Sequence, residues 1–255
     1  MTTPAQVSAQ ILAQHAAELN PSVTKIVAGA DAVRNPGHPF RVSVKLTEYA
    51  NGQEHNHDLL VVFAKEDAAT RQYRNLIQYV EPPRDAGKRV LLDGQALWFF
   101  DPASNLSIRI SAQQRLLGQA AIGDVLTVNL AADYRAKLIG VESIKDAGGE
   151  TRNCWHLDMH AATDTAVYNR VEYWVEQGNY YPIKGKFYAD SGRLLKILYY
   201  RNFSEQLGGM RPTEAVIIDA VNTSLVTTAT FGDYRFQDIP DAWFQRDYLP
   251  RLHVD

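Results

Sequence analysis

Residues 170–203 read RVEYWVEQGNYYPIKGKFYADSGRLLKILYYRNF. Three runs rich in β-branched and aromatic residues, Val167–Glu176, Pro182–Ala189 and Arg193–Phe203, are separated by Gln177-Gly178-Asn179 and Asp190-Ser191-Gly192. Apolar runs of this length, broken by Gly, Asn and Asp, predict neighbouring antiparallel strands. Strict alternation groups Tyr173 with Val171 and Val175, and Tyr199 with Leu195 and Ile197. The segment holds nine aromatic residues. Such a face is core as a rule, yet Tyr and Trp, with an apolar body and a polar tip, also suit a cavity wall.

The same pattern extends in both directions. Towards the N-terminus, strands are expected at Arg41–Tyr49, Leu59–Ala64, Tyr73–Val80 and Val90–Leu92, and in the hairpin ALWFFDPASNLSIRIS at 96–111. In that hairpin Trp98, Phe100, Ile108 and Ile110 share a parity and are assigned to one face. Further strands are expected near Leu138–Ile144, Asn153–Ala161, Thr213–Thr223 and Ser224–Phe236. Two helices interrupt the strands. One is expected over 4–19, with Thr3 and Gln6 forming a capping box, Val7, Ile11 and Leu19 on its apolar face, and Asn20-Pro21 ending it. The other covers about 111–123, opened by Ser111 and Gln114 and carrying Leu116, Leu117, Ala120 and Ala121. Strands at roughly ten-residue spacing with few helices indicate an antiparallel meander. No linker or internal repeat divides the chain, so residues 1–255 are read as one domain: mainly β, one large twisted sheet, its open side covered by the helices.

The chain has 255 residues, 45% hydrophobic and 22% charged, with a net charge of −3. The charges are interspersed and form no basic stripe, which argues against nucleic acid as a partner. No apolar run reaches the roughly 18–20 residues of a membrane helix. The single cysteine, Cys154, rules out an internal disulfide. The opening residues Met1-Thr2-Thr3-Pro4 carry no signal-peptide pattern.

The sequence offers few residues in a pattern that supports chemistry. In CWHLDMH, residues 154–160, Cys154, His156, Asp158 and His160 alternate onto one face, but same-face neighbours on a strand sit roughly 7 Å apart. Four such residues do not converge on one ion whose ligands lie at about 2.0–2.3 Å. They are read as a solvent face, with Trp155, Leu157 and Met159 pointing inward. His55 and His57 are read as a solvated turn, and Asp238 and Asp241 as turn residues around Pro240. No nucleophile elbow, zinc-protease motif, dinucleotide loop or phosphate loop occurs, and no base stands near Cys154 in sequence. The expectation is a protein that is not an enzyme and takes no cofactor or metal.

Several elements recur in an order that resembles the LolA-like outer-membrane lipoprotein-sorting proteins. Gly94 and Trp98 precede Asp101-Pro102, Arg109–Ser111 follow, and Asp133-Tyr134 precede Leu138 and Gly140. Then come Trp174-Val175, Pro182, Lys184, Ser191-Gly192 and Leu195-Lys196. The resemblance spans about residues 40–250 and is closest to the longer relatives associated with RND-type exporters. It implies a half-open antiparallel β-barrel with helices as a lid, in the periplasm, carrying acyl chains of a lipid or lipoprotein towards the outer membrane. It also implies an arginine that holds the lid shut, which the sequence does not single out. The partners implied are an inner-membrane RND-type transporter and an outer-membrane acceptor. The groove is then expected at Trp98, Phe100, Ile108 and Ile110, with Leu157, Met159, Tyr173, Val175, Phe187, Leu195, Ile197 and Tyr199, and partly vacant. The alternative is a non-catalytic module binding such a transporter through its surface.

Overall fold

The computed structural model describes residues 21–94 and 96–252, so the helix expected over 4–19 lies outside the described residues. The first described element is a helix that the sequence expectation lacked, α1 (Val23–Arg34). Ser22 caps it by accepting from the Lys25 amide, and Ile26, Val27 and Ala30 form its buried stripe. Asn20-Pro21 thus precedes a helix start.

Six strands follow: β1 (Phe40–Ala50), β2 (Gln53–Glu66), β3 (Tyr73–Glu81), β4 (Arg89–Asp93), β5 (Ala96–Asp101) and β6 (Leu106–Ile110). Residues 111–133 then hold a small hairpin, β7 (Arg115–Leu117) and β8 (Ala120–Ala121), and two short helices, α2 (Ile122–Val125) and α3 (Leu130–Asp133). The remaining strands are β9 (Tyr134–Lys145), β10 (Thr151–Ala161), β11 (Arg170–Glu176), β12 (Pro182–Tyr188), β13 (Leu194–Gln206), β14 (Gly209–Asp219) and β15 (Leu225–Phe236). Two 3-10 turns, Asp241–Phe244 and Arg246–Arg251, close the described chain.

Thirteen strands form one antiparallel sheet in the order β6-β5-β4-β3-β2-β1-β15-β14-β13-β12-β11-β10-β9. The chain therefore starts in the middle, winds out to β6, crosses through residues 111–133 to the far edge at β9, and winds back. Register shifts between β1 and β2, β2 and β3, β9 and β10, β11 and β12, and β12 and β13 bend the sheet. It is curved and does not close, since β6 and β9 are its two ends. The inner face packs against α1 and residues 111–133 in one large apolar cluster. The outer face is dry over β2–β5, where the 3-10 turns bring Ile239, Phe244, Leu249 and Leu252 onto Phe63, Leu76, Leu91 and Phe100. This double burial is why the runs at Leu59–Ala64 and Leu97–Phe100 are apolar throughout rather than alternating.

Three expectations are corrected. First, Trp98 and Phe100 do not share a face with Ile108 and Ile110. The hairpin loop Pro102–Asn105 has an even number of residues, so Leu97 pairs with Ile110 and Phe99 with Ile108. The inner residues are Leu97, Phe99 and Ile110, with Ile108 54% exposed at the edge, while Trp98 and Phe100 belong to the outer cluster. Second, Leu195 does not share a face with Ile197 and Tyr199. Phe187 pairs with Lys196 but Tyr188 with Leu194, leaving Leu195 as an extra bulge residue. Beyond it Lys196, Leu198 and Tyr200 are even-numbered inner residues, and Tyr199 lies outside under the Lys184 ammonium, which also sits over Trp174. Third, residues 111–123 are not one helix. Ser111 forms a turn, accepting from Gln113 and Gln114, and Gly118 takes a left-handed φ of +53° in the tight β7–β8 turn. A Cβ at Gly118 would lie 2.3 Å from Thr227 Oγ1, so the residue is also needed for close approach.

Candidate functional site: a filled hollow under a lid

The hollow of the sheet is lined by Leu157 and Met159 of β10, Val171, Tyr173 and Val175 of β11, Phe187 of β12 and Leu198 of β13, all buried. Five of these were expected groove residues, and the structure does bring them together. Covering them are the Ile26, Val27 and Ala30 stripe of α1 and the lid segment 111–133, which contributes Ala120, Ile122, Val125, Leu126 and Leu130. The hollow is not vacant in this structure. Two of the voids beneath the lid are about 40 Å³, beside Tyr134, Tyr168, Phe187 and Tyr200, and about 70 Å³, beside Phe40, Val42 and Phe231. Each has space for a few waters, well short of the roughly 300–1,000 Å³ of ordinary ligand pockets.

What holds the lid is chiefly a set of side chains bonded to its backbone; one backbone bond, from the Ala162 N–H to the Asp133 carbonyl at 2.8 Å, reaches its end, and among the described residues it forms no β-ladder with the wall. The Asn75 amide of β3 accepts from the Thr127 N–H and donates to its carbonyl, both at 2.9 Å. Gln72 does the same for Asn129, at 2.9 and 3.0 Å. The Gln119 N–H donates to Thr227 Oγ1 at 2.7 Å. From α1, Asp31 accepts from the Ala131 N–H at 2.8 Å, while Arg34 and Asn35 both donate to the Val128 carbonyl, at 3.2 and 3.0 Å. Arg34 also pairs with Asp31 at 2.5 Å. Arg211 of β14 in turn donates to the carbonyls of Ala32 and Val33, fixing the end of the helix. Arg34 is therefore an arginine that fastens the lid. Its signal in the sequence was the last turn of a helix ending at Asn35-Pro36, invisible as long as α1 was missed.

A second buried pair joins lid and wall. Lys196 of β13 meets Asp124 of α2, their side chains 5% and 3% exposed. Asp124 also accepts from the Tyr168 hydroxyl at 2.8 Å and from the Ala121 N–H at 2.7 Å. Burial pushes the Tyr134 phenol up to about 12 and those of Tyr168 and Tyr173 well above their ordinary value, so all three are neutral. The Tyr173 ring lies edge-on to that of Tyr200, with ring centroids 6.5 Å apart.

Beside the lid hairpin lies an open cleft of about 390 Å³, bounded by Gln113, Arg115, Gln119 and Tyr168 on one side and by Arg193, Leu195, Lys196 and Asp219 on the other. A second cleft of about 230 Å³ lies where the sheet fails to close, between Leu97, Arg109 and Ile110 and the loop at Asp164–Val167.

The CWHLDMH face is not uniformly solvated. Trp155, Leu157 and Met159 do point inward, but Cys154 is fully buried under Trp174 and Ile183, and His156 stacks on Trp174 at 4.2 Å. Asp158 is held by Arg170 at 2.6 Å and by His160 at 3.2 Å. Among the described residues no three His, Cys, Asp or Glu side chains gather as a metal site. Burial pushes the Cys154 thiol up to about 12. The native protein is therefore expected to stay unreactive towards an aromatic disulfide reagent at pH 8 and to release one thiol equivalent once denatured; rapid native reaction would contradict the burial.

An open antiparallel sheet wrapped round an apolar hollow, with a helix and a lid lying in it, defines the class: a lidded half-barrel. A family model described as an uncharacterized protein matches residues 71–251. Among solved structures, a LolA superfamily protein from Nitrosomonas europaea is 33% identical, with a TM-score of 0.79, covering 89% of this chain and 99% of its own. The chain belongs to the LolA superfamily. A putative outer membrane lipoprotein-sorting protein domain from Vibrio parahaemolyticus (20% identity, TM-score 0.73, 89% and 98% covered) shares the fold. So does a DUF1329 family protein from Desulfovibrio piger (18%, 0.74, 89% and 97%). No curated protein matches. No helix among the described residues is long and apolar enough to cross a membrane.

Proposed function

We propose that this protein is a periplasmic carrier that holds the acyl chains of a lipid or lipoprotein against the inner face of the sheet, for transfer towards the outer membrane. The observation that carries the reading is the way the hollow is filled. Its apolar wall is covered by a lid joined to it chiefly through side-chain bonds, so the lid can leave without breaking a strand pairing. Displacing it uncovers the part of the apolar wall that α1 leaves free. An acyl chain in water costs about 0.8 kcal/mol per CH₂, so burial against that wall supplies affinity without directional contacts. The membership in the LolA superfamily and the likeness to a putative lipoprotein-sorting domain support the same reading. Such a task needs no catalytic residue. A donor in an RND-type transporter and an outer-membrane acceptor are the partners proposed.

Native mass spectrometry of protein purified without delipidation tests the reading. The expected result is a bound mass in the lipid range, displaced by a fluorescent 16-carbon fatty acid. Absence of both bound lipid and probe binding overturns it. The second reading, a transporter-binding module with a permanently packed interior, draws on an outer cleft of about 490 Å³ at Tyr181, Ile183, Phe203 and Met210. It is favoured if a transporter is captured by the protein while no lipid or probe binds.

A further inference from the structure

The lid and the open cleft beside it share one residue of the wall, Lys196. It borders the cleft of about 390 Å³ together with Arg115 and Arg193, against a single carboxylate, Asp219. Arg115 and Arg193 are exposed and make no ion pair among the described residues. The cleft is thus a positive mouth. On its inner side the Lys196 ammonium lies over the Tyr168 ring at 5.0 Å and meets the Asp124 carboxylate. Tyr168 and Asp124 in turn border the small void beside Phe187 and Tyr200. Between the cleft and the small void stand the Tyr168 ring, which borders both, and the Lys196–Asp124 ion pair, half of it on the wall and half on the lid.

When the lid leaves, Asp124 goes with it, and Lys196 remains on an apolar wall among Tyr168, Phe187 and Leu198. A buried charge stripped of its partner is strongly unfavourable. A new anion arriving at the same place restores the pairing, and Arg115 and Arg193 stand at the mouth to draw it in.

We propose that this cleft binds the anionic head group, a carboxylate or a phosphate, of an acyl-chain ligand, and that Asp124 occupies the head-group position on Lys196 while the lid is shut. The inference rests on the carrier reading and gives it a substrate class: amphiphiles with a negative head. The chain runs inward past Tyr168 to the uncovered wall, and the lid carboxylate is a built-in competitor that the cargo displaces.

The test compares a fluorescent 16-carbon fatty acid with its methyl ester on the whole protein. The acid is expected to bind about tenfold more tightly than the ester, a difference that shrinks as salt screens the mouth. Arg115→Ala/Arg193→Ala, at two exposed positions, is expected to remove most of the preference. Lys196→Met brings the two probes to the same affinity and Lys196→Arg retains the difference. Asp124→Asn, which keeps the shape of the lid but not its charge, raises the affinity for the acid. Competition with palmitate, lysophosphatidic acid and monopalmitoylglycerol assigns the head: displacement by the first or second supports the proposal and tells carboxylate from phosphate. If acid and ester bind equally to the wild type, or monopalmitoylglycerol competes as well as the anions, the head-group site is overturned while the carrier reading stands. If no probe binds at all, the carrier reading itself has failed.

Discussion

Replacing Arg34 with methionine is expected to lower the stability by about 3–5 kcal/mol. Its guanidinium is nearly enclosed and does two things at once: it neutralises Asp31, 6% exposed, and bonds the Val128 carbonyl of the lid. Removal leaves the Asp31 carboxylate buried without its partner, the situation in which deleting half an ion pair costs most. The double variant Asp31→Leu/Arg34→Met is expected to recover a large part of that loss, because the burial of both charges disappears together. It does not recover the Arg34–Val128 and Asp31–Ala131 bonds, so of the α1 anchors only the Asn35 bond to the Val128 carbonyl remains. Urea unfolding followed by circular dichroism measures the first effect, and limited proteolysis of residues 111–133 the second. A single variant within 1 kcal/mol of wild type would show that Arg34 does not hold the lid.

Phe100→Ala is expected to cost a further kind of stability, about 3–5 kcal/mol for emptying a tightly packed aromatic site. Phe100 is 2% exposed between β4 and the 3-10 turns, with the Arg89 guanidinium 5.5 Å above its ring. Arg89 also donates to the carbonyls of Leu249 and Leu252 at 2.7 and 2.8 Å, tying the chain end down over it. The loss belongs to the outer cluster, so acyl-probe binding by the folded fraction should match wild type. A parallel loss of probe binding would place Phe100 back on the inner wall, where the even-numbered parity had put it.

The two faces of the hairpin explain what the sequence reveals and what it hides. Strand positions were legible wherever one face is apolar and the other polar, as in β1, where Phe40, Val42, Val44 and Leu46 are buried and Lys45 is exposed. Facing was illegible in ALWFF because both sides are dry there, and only the even-length loop decides which parity faces in. The bulge at Leu195 had the same effect on β13: one extra residue moved Ile197 and Tyr199 outside. Around the hollow, Leu157, Met159, Tyr173, Val175 and Phe187 followed simple alternation, and they do gather.

The lid was hidden for a different reason. Its Ser-x-x-Gln start and apolar pattern fit a helix, but Gly118 in a left-handed turn, seated on Thr227 and Glu48, breaks the segment into a hairpin and two short helices. The groups that fasten it, Asn75, Gln72, Asp31 and Arg34, are 52 or more residues away from the backbone they bind, beyond any local pattern. Asp124 and Lys196 are 72 residues apart and meet only because the chain crosses from one edge of the sheet to the other.

Whether the lid must move is the central question, and a reversible lock tests it most directly. A Cβ placed on Gly123 of α2 would lie 2.3 Å from Val167 Cγ1 and 3.0 Å from its Cγ2 in the β10–β11 loop, so the two positions adjoin across the edge of the lid, and replacing the branched valine by cysteine removes one of the two crowded methyls. The variant Gly123→Cys/Val167→Cys should bind the fluorescent 16-carbon fatty acid when reduced and lose that binding, at least about tenfold, when the disulfide is formed. Equal binding by the oxidised and reduced forms would mean that acyl chains never enter beneath the lid.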